Sequence, residues 1–361
     1  MSGARLEDDT EAHSSVGLRA GLVLDGRYRL ERPLGEGGMG LVWVAEQLAL
    51  ERKVAIKSLR FAGGDLRDRL RREALALASV HHPAIVQVHD YGETADGVPY
   101  VVMELVSGES LAAHLARRGP MAAEEAVALA LPRLDGLAAA HAAGIIHRDI
   151  KPSNVLLGVG PDGITPKLLD FGIAFVERGD YARITRDGGV LGTPVYMAPE
   201  QARGEQADAR ADVWGVATLI YELIAGEPPF LHGNLVEVLR RIVEQPPPYP
   251  REARGLNGRL WSILTAALRK SRDERTGSVK ELRGALSAWL ETRPGAPAAA
   301  PPLAGPAAPS RESRAEATTL PAGSPAPNSP RPPAPTPRDA AGSAGGPPSL
   351  DALIREKLRG A

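Results

Sequence analysis

His147-Arg148-Asp149-Ile150-Lys151-Pro152-Ser153-Asn154 sets a carboxylate, an ammonium and a side-chain amide within one short stretch, and Asp170-Phe171-Gly172 follows soon after. A carboxylate can orient a hydroxyl. An ammonium can neutralise phosphate, and an amide with a second carboxylate can hold a metal ion. That combination suits phosphoryl transfer. A polar loop that merely contains Asp, Lys and Asn is the alternative, and the segments on either side weigh against it.

Upstream, Gly35-Glu36-Gly37-Gly38-Met39-Gly40-Leu41-Val42 lies between two predicted strands. Glycines let a backbone approach phosphate oxygens closely and present its N–H groups. A dinucleotide-binding glycine turn opens a helix, whereas this one returns into the strand pattern Leu41-Val42-Trp43-Val44. A Walker loop is excluded as well, because no Gly-Lys-Ser/Thr follows.

Val54-Ala55-Ile56-Lys57 ends an apolar strand on a lysine. Alternation sets Val54 and Ile56 on one face and Ala55 and Lys57 on the other. A lysine projecting inward needs an anionic partner; the alternative is a stem that snorkels to the surface. Leu66 to Val80 has helical periodicity, and Leu70 and Leu77 bracket Glu73, the only Glu in that helix. A Lys57–Glu73 ion pair is the expectation, with Glu73 at the wet edge of the apolar stripe as the alternative.

The chain of 361 residues carries a formal net charge of −1 and no cysteine. No global field draws it to nucleic acid or an anionic membrane. Disulfides and thiolate metal sites are excluded. Met1 to Ala20 lacks the apolar core of a signal peptide, and Pro, Gly or a charge interrupts every apolar run. The expectation is a cytoplasmic protein with no membrane span and no nucleic-acid partner.

Residues 1–22 read as a disordered polar leader and 23–293 as the folded region. Residues 294–349 contain half of the chain's 32 prolines and no aromatic residue, Val or Ile. Such a segment buries too little apolar surface to offset its ordering entropy, and it reads as a disordered Pro/Ala-rich linker. In residues 350–361, Leu350, Leu353, Ile354 and Leu358 recur at helical spacing, so a short amphipathic helix and a frayed polar terminus are both open readings. Within the folded region, predicted strands cover Tyr28 to Leu34, Leu41 to Glu46, Val54 to Leu59, Ile85 to Tyr91 and Tyr100 to Glu104. Helices dominate from Ala122, and Ala211 to Ala225 is apolar on nearly all faces, as a central buried helix is.

Together these segments resemble the protein kinase family, in particular its bacterial Hanks-type serine/threonine branch, over about Tyr28 to Leu290. The order is the family's: glycine loop, Val-Ala-Ile-Lys, His-Arg-Asp, Asp-Phe-Gly, then Gly192-Thr193-Pro194-Val195-Tyr196-Met197-Ala198-Pro199-Glu200. The resemblance implies an α+β fold of two lobes. A small antiparallel β lobe with one helix spans about 23–106, and a larger, mainly helical lobe spans about 107–293.

It also implies roles. Lys57 contacts the α and β phosphates of ATP and pairs with Glu73. Asp149 orients the substrate hydroxyl, Lys151 lies near the γ-phosphate, and Asn154 and Asp170 hold Mg²⁺ or Mn²⁺. Gly35, Gly37, Gly38 and Gly40 cover the phosphates. Leu34, Val42, Ala55 and Leu156 sandwich adenine, Met103 is the gatekeeper, and Glu104 and Val106 offer backbone hydrogen bonds. Thr193 bridges Asp149 and Lys151, which points to Ser or Thr hydroxyls of protein substrates.

Regulation is expected through Arg148, a buried cation awaiting a phosphate on the activation loop. Thr185 is the expected autophosphorylation site, with transient homodimers as the route. Asp187 either supplies a fixed negative charge near Arg148 or is an ordinary loop residue. Asp212 is expected to bind the backbone of the catalytic loop, and Glu200 with Arg275 to form a buried ion pair. Ala217 and Arg272 depart from the family's usual Gly and Pro. A catalytically dead scaffold that recruits partners through its tail, and a small-molecule kinase, are the rival readings. Intact Lys57, Asp149, Asn154 and Asp170 count against the first, and the Thr193 to Glu200 segment against the second.

Overall fold

A computed structural model of the chain describes residues 18–37, 40–59, 64–160, 163–171 and 194–292. Gly38, Thr185, Asp187, Thr193, most of the leader, the Pro-rich linker and the C-terminal segment lie outside the described residues.

Six strands form one antiparallel sheet: β1 (Val23–Leu24), β2 (Tyr28–Gly37), β3 (Gly40–Gln47), β4 (Arg52–Leu59), β5 (Val88–Glu93) and β6 (Pro99–Glu104). Their order is β1-β2-β3-β4-β6-β5. Period-two alternation sorts the two faces. Trp43, Ala45, Val54, Ile56, Tyr100 and Val102 bury one face with Tyr28 and Leu30. Register opposes Val42 to Lys57, Val44 to Ala55, Ala55 to Met103 and Lys57 to Val101, so these residues share the other face. Helix α1 (Gly64–Ala78) packs with this lobe, and its Ala74 and Leu77 reach the large core below. It begins and ends two residues earlier than the periodicity suggested.

The larger lobe is built from α2 (Leu111–Arg118), α3 (Ala123–Ala142), α4 (Pro199–Ala202), α5 (Arg210–Ala225), α6 (Leu235–Glu244), α7 (Gly258–Ala267) and α8 (Val279–Glu291). Every residue of α5 from Ala211 to Ile224 is buried, so α5 is the axis of the lobe. Gly226 ends it with φ +88, the left-handed conformation that glycine adopts without a Cβ clash.

The sequence reading missed a second sheet, β7 (Gly108–Ser110), β8 (Val155–Gly160) and β9 (Gly163–Leu168), in the order β7-β8-β9. The β8–β9 hairpin pairs Val155 with Leu168. That register sets Asn154, just before β8, beside Leu169, just after β9, and the Leu169 N–H donates to the Asn154 carbonyl at 2.9 Å. The predicted strand from Ile85 starts later, at Val88; Ile85 instead makes an isolated parallel bridge to Leu168. No helix of the described residues is long and apolar enough to cross a membrane.

Candidate active site

The hairpin brings two loops together, and hydrogen bonds lock them. His147 Nε2 bonds the Leu169 carbonyl at 2.8 Å, so its N–H donates there, and its ring lies 4.6 Å from that of Phe171. Arg148 and Asp170 both adopt positive φ, +65 and +55. Non-glycine residues in that region carry strain of order 1–3 kcal/mol and persist only where their surroundings impose it.

Asp212, at the start of α5 and fully buried, imposes it on Arg148. Its Oδ1 accepts the Arg148 N–H at 2.8 Å, and its Oδ2 accepts the His147 N–H at 2.9 Å. His141, near the end of α3, approaches the same Oδ2 at 2.6 Å. From the other side Gln201 Nε2 donates to the Arg148 carbonyl at 2.9 Å.

Inside this frame the polar groups converge. Lys151 Nζ lies 2.9 Å from Asp149 Oδ2, and Asn154 Nδ2 donates to the same oxygen at 2.9 Å and to the Asp149 carbonyl at 2.8 Å. One Asp149 oxygen is thus doubly engaged, while Oδ1 has no hydrogen-bond partner among the described residues. The carboxylate of Asp149 is 32 % exposed. Across the gap, Lys57 Nζ meets Asp170 Oδ1 at 2.7 Å, the lysine side chain 9 % exposed and the aspartate 35 %. Burial opposes ionisation of Asp170, but Lys57, and further off His147 and Lys151, outweigh it and hold the carboxyl below its ordinary range. Asp170 is therefore an anion at neutral pH.

The expected Lys57–Glu73 pair is corrected here. Among the ion pairs of the described residues Lys57 engages Asp170, whereas Glu73 faces Arg148 Nη1 at 3.8 Å. Periodicity set Glu73 inward, and it lies half-buried, but periodicity does not rank two acids that compete for one ammonium. Asp170 is held against Lys57 by the β8–β9 hairpin, while Glu73 rides on α1. Arg148, expected to be buried, keeps 21 % of its side chain exposed.

Ala55 is buried, Val42, Met103, Val106 and Leu156 are half-buried, and Leu34 is 45 % exposed. Gly35 opposes Val42 and Gly37 opposes Gly40, so the glycine run is the turn between β2 and β3. The Glu104 side chain has a part that the sequence did not suggest: Oε1 accepts the Gln87 N–H at 2.9 Å and Lys167 Nζ at 2.7 Å. It thereby joins the sheet lobe to β9, the strand that leads to Asp170. Glu200 and Arg275 form a two-pronged pair, 2.8 Å on each side, with both side chains buried.

Gly215 was also missed. A Cβ there would lie 2.9 Å from Ile150 Cβ, so α5 touches the loop from His147 to Asn154 directly. The available signal was a glycine inside an otherwise apolar helix, a costly choice that calls for a close contact.

Metal fit rests on the donor set. Among the described residues no group of three or more His, Cys, Asp or Glu could enclose an ion. Asn154 spends its amide N–H groups on Asp149, which leaves Oδ1 open, and Asp170 offers an ionised carboxylate with Oδ2 open. Two hard oxygens in an open site fit Mg²⁺, which takes one or two protein ligands and completes its shell with phosphate and water.

A glycine turn between strands, an inward lysine and an Asp/Lys/Asn loop facing a second aspartate make up the candidate site. Residues 28–283 match the family model described as protein kinase domain. The chain belongs to the protein kinase family. It is 43 % identical over 276 residues to "Serine/threonine-protein kinase pkn2" of Myxococcus xanthus, a match covering 74 % of this chain and 33 % of that one. It is 42 % identical over 240 residues to "Serine/threonine-protein kinase PknA" of Mycobacterium tuberculosis, covering 64 % and 54 % respectively. With "Serine/threonine-protein kinase PknB" of Mycolicibacterium smegmatis the identity is 40 % over 273 residues, 73 % of this chain and 43 % of that one. The chain thus spans about half the length of these curated relatives, or less. ATP and Mg²⁺ are the cofactors of this family.

Proposed function

We propose that this chain is a serine/threonine protein kinase that transfers the γ-phosphoryl group of ATP to Ser or Thr hydroxyls of proteins. The observation that carries this reading is the convergence of Lys57, Asp149, Lys151, Asn154 and Asp170 in one partly open site. The names of the relatives support the Ser/Thr class.

In this reading Asp149 Oδ1 accepts a hydrogen bond from the incoming alcohol and orients its oxygen, and takes up the proton as the new P–O bond forms and the bond to the leaving diphosphate breaks. Asn154 and Lys151 fix the carboxylate through its other oxygen. Lys151 also neutralises charge on the transferring group, and Lys57 does so on the remaining phosphates. Asn154 Oδ1 and Asp170 would hold Mg²⁺, which supplies charge neutralisation between the phosphates. Leu34, Val42, Ala55, Met103 and Leu156 would exclude water around the base, with Glu104 and Val106 at its edge.

The Lys57–Asp170 and Arg148–Glu73 pairs fit a resting arrangement. Binding of a cation and phosphates at Asp170 would release Lys57, and a phosphate near Arg148 would release Glu73 to replace Asp170 as the lysine's partner. Autophosphorylation of Thr185 in a transient homodimer, with Asp187 adding charge and Thr193 contacting Asp149 and Lys151, completes the proposal. The setting is cytoplasmic signalling, and the Pro-rich segment would recruit partners.

The test is incubation with γ-labelled ATP, Mg²⁺ and a generic protein acceptor, followed by phosphoamino-acid analysis and phosphosite mapping. Label on serine and threonine is expected, with Thr185 among the sites. Label confined to tyrosine, or transfer only to small-molecule alcohols, would overturn the reading.

A further inference from the structure

Between α6 and α7 the helical lobe carries an aromatic cluster that the phosphotransfer site does not use. Tyr249 is 49 % exposed. Its ring stands edge-on to that of half-buried Trp261, with centroids 5.1 Å apart and planes at 79°. Tyr221 of α5 backs Trp261 at 6.4 Å, and its hydroxyl donates to the Pro248 carbonyl at 3.0 Å. Pro246-Pro247-Pro248-Tyr249-Pro250 is therefore pinned to the axis of the lobe although it is neither helix nor strand.

Among the described residues neither the Trp261 indole N–H nor the Tyr249 hydroxyl has a hydrogen-bond partner. Crossed aromatic walls with unspent donors suit a polyproline II segment. Its proline faces pack on rings, and its carbonyls, which make no internal hydrogen bonds, accept from the donors.

The chain itself supplies such a segment close by. Near the end of α8, Trp289 Nε1 donates to Asn257 Oδ1 at 2.9 Å. Asn257 caps α7, and its carbonyl accepts the Trp261 N–H at 2.9 Å. The described fold thus ends within a few residues of a contact one helical turn from Trp261. Residues 293–361 follow, and Pro294, Pro297, Pro301, Pro302 and Pro306 open that stretch. Extended polyproline chain advances about 3.1 Å per residue, so about ten residues reach across roughly 30 Å. A short tether also supplies a millimolar effective concentration, which lets a weak site fill.

We propose that Tyr249 and Trp261 form a docking site for a polyproline II stretch of this chain's own residues 294–306, bound in cis. The absence of cysteine makes the test direct. Nitroxide is attached to Leu303→Cys or, separately, to Ala340→Cys in the full chain carrying ¹⁵N-labelled tryptophan. The Trp261 indole signal is assigned by its loss in Trp261→Phe.

The label at 303 is expected to bleach the Trp261 indole, and the label at 340 to spare it. Tyr249→Ala is expected to restore the signal under the 303 label while the Trp43 and Trp214 indoles keep their shifts, which shows an intact fold. Equal bleaching with Tyr249 and without it would mean tethering alone and would overturn the proposal. So would a Trp261 signal untouched by the 303 label. Bleaching that persists when nitroxide and ¹⁵N are on separate chains would assign the site to a second copy and overturn binding in cis.

Discussion

Asp212→Asn isolates the support of the loop from His147 to Asn154 from the chemistry proposed for it. The buried carboxylate accepts two backbone N–H groups, at 2.8 and 2.9 Å, and meets His141 at 2.6 Å. An amide of the same shape has one oxygen. Its least costly placement keeps that oxygen toward His147 and His141 and turns Nδ2 toward the Arg148 N–H, donor against donor. A hydrogen bond to a charged group contributes about 1.5–3 kcal/mol, and the two that remain lose their charge assistance. A net loss of about 3 kcal/mol is comparable with the strain of order 1–3 kcal/mol in Arg148 at φ +65, so the loop can relax out of its active shape. At 1.4 kcal/mol per decade that lowers kcat/KM about 100-fold. Steady-state phosphotransfer kinetics measure the loss, and circular dichroism with urea unfolding shows whether the lobe survives. A variant within about threefold of the parent kcat/KM would refute the claim that Asp212 holds the loop.

Other expectations follow from the same structure. Glu200→Gln strands Arg275 in a buried site and should cost about 3–5 kcal/mol in urea unfolding, with little recovery from high salt. Gly215→Ala drives a Cβ toward Ile150 and should lower kcat more than it raises KM for ATP; unchanged kcat would show that α5 does not set the loop. Among the described residues only Tyr196 donates to buried Glu222, and burial raises its pKa from 4.5 to about 7. The folded state then binds the extra proton between those values, so this group's contribution fades as pH rises through that window, by up to about 3 kcal/mol. Glu222→Gln should flatten the profile, and an identical slope in both proteins would refute the assignment. Asp170 acts in the opposite sense: its depressed carboxyl stabilises the fold above the ordinary aspartate range and fades below it. Lys57→Met should shrink that fade in acid-unfolding curves, because burial, which raises the carboxyl, is then opposed only by His147 and Lys151.

The family of this chain was more legible in its sequence than its geometry. The strands carrying Lys57 and Met103 announce themselves by alternation, and α5 by its unbroken apolar face, because burial on one or all sides leaves a periodic trace. β7, β8 and β9 left little trace. They are short, include Pro166 and several glycines, and are held by pairing rather than by alternation. The Lys57–Asp170 pair was not legible because the hairpin register, a long-range property, decides which acid reaches the ammonium. His141 and Gln201 were missed for a related reason. A polar side chain that braces a loop from another helix carries no local pattern, and only the folded structure shows what it touches.

Phosphoryl transfer by the full chain, measured beside its Asp149→Asn variant, decides whether the site centred on Asp149 is a kinase site. Both proteins are given γ-labelled ATP, Mg²⁺ and the same Ser/Thr acceptor, after unfolding curves show equal folding. Label on Ser/Thr is expected from the parent, with a loss of at least about 100-fold in the variant, since general-base positioning contributes about 10²–10⁴-fold. A parent that transfers no phosphate, or a variant as active as the parent, would contradict it.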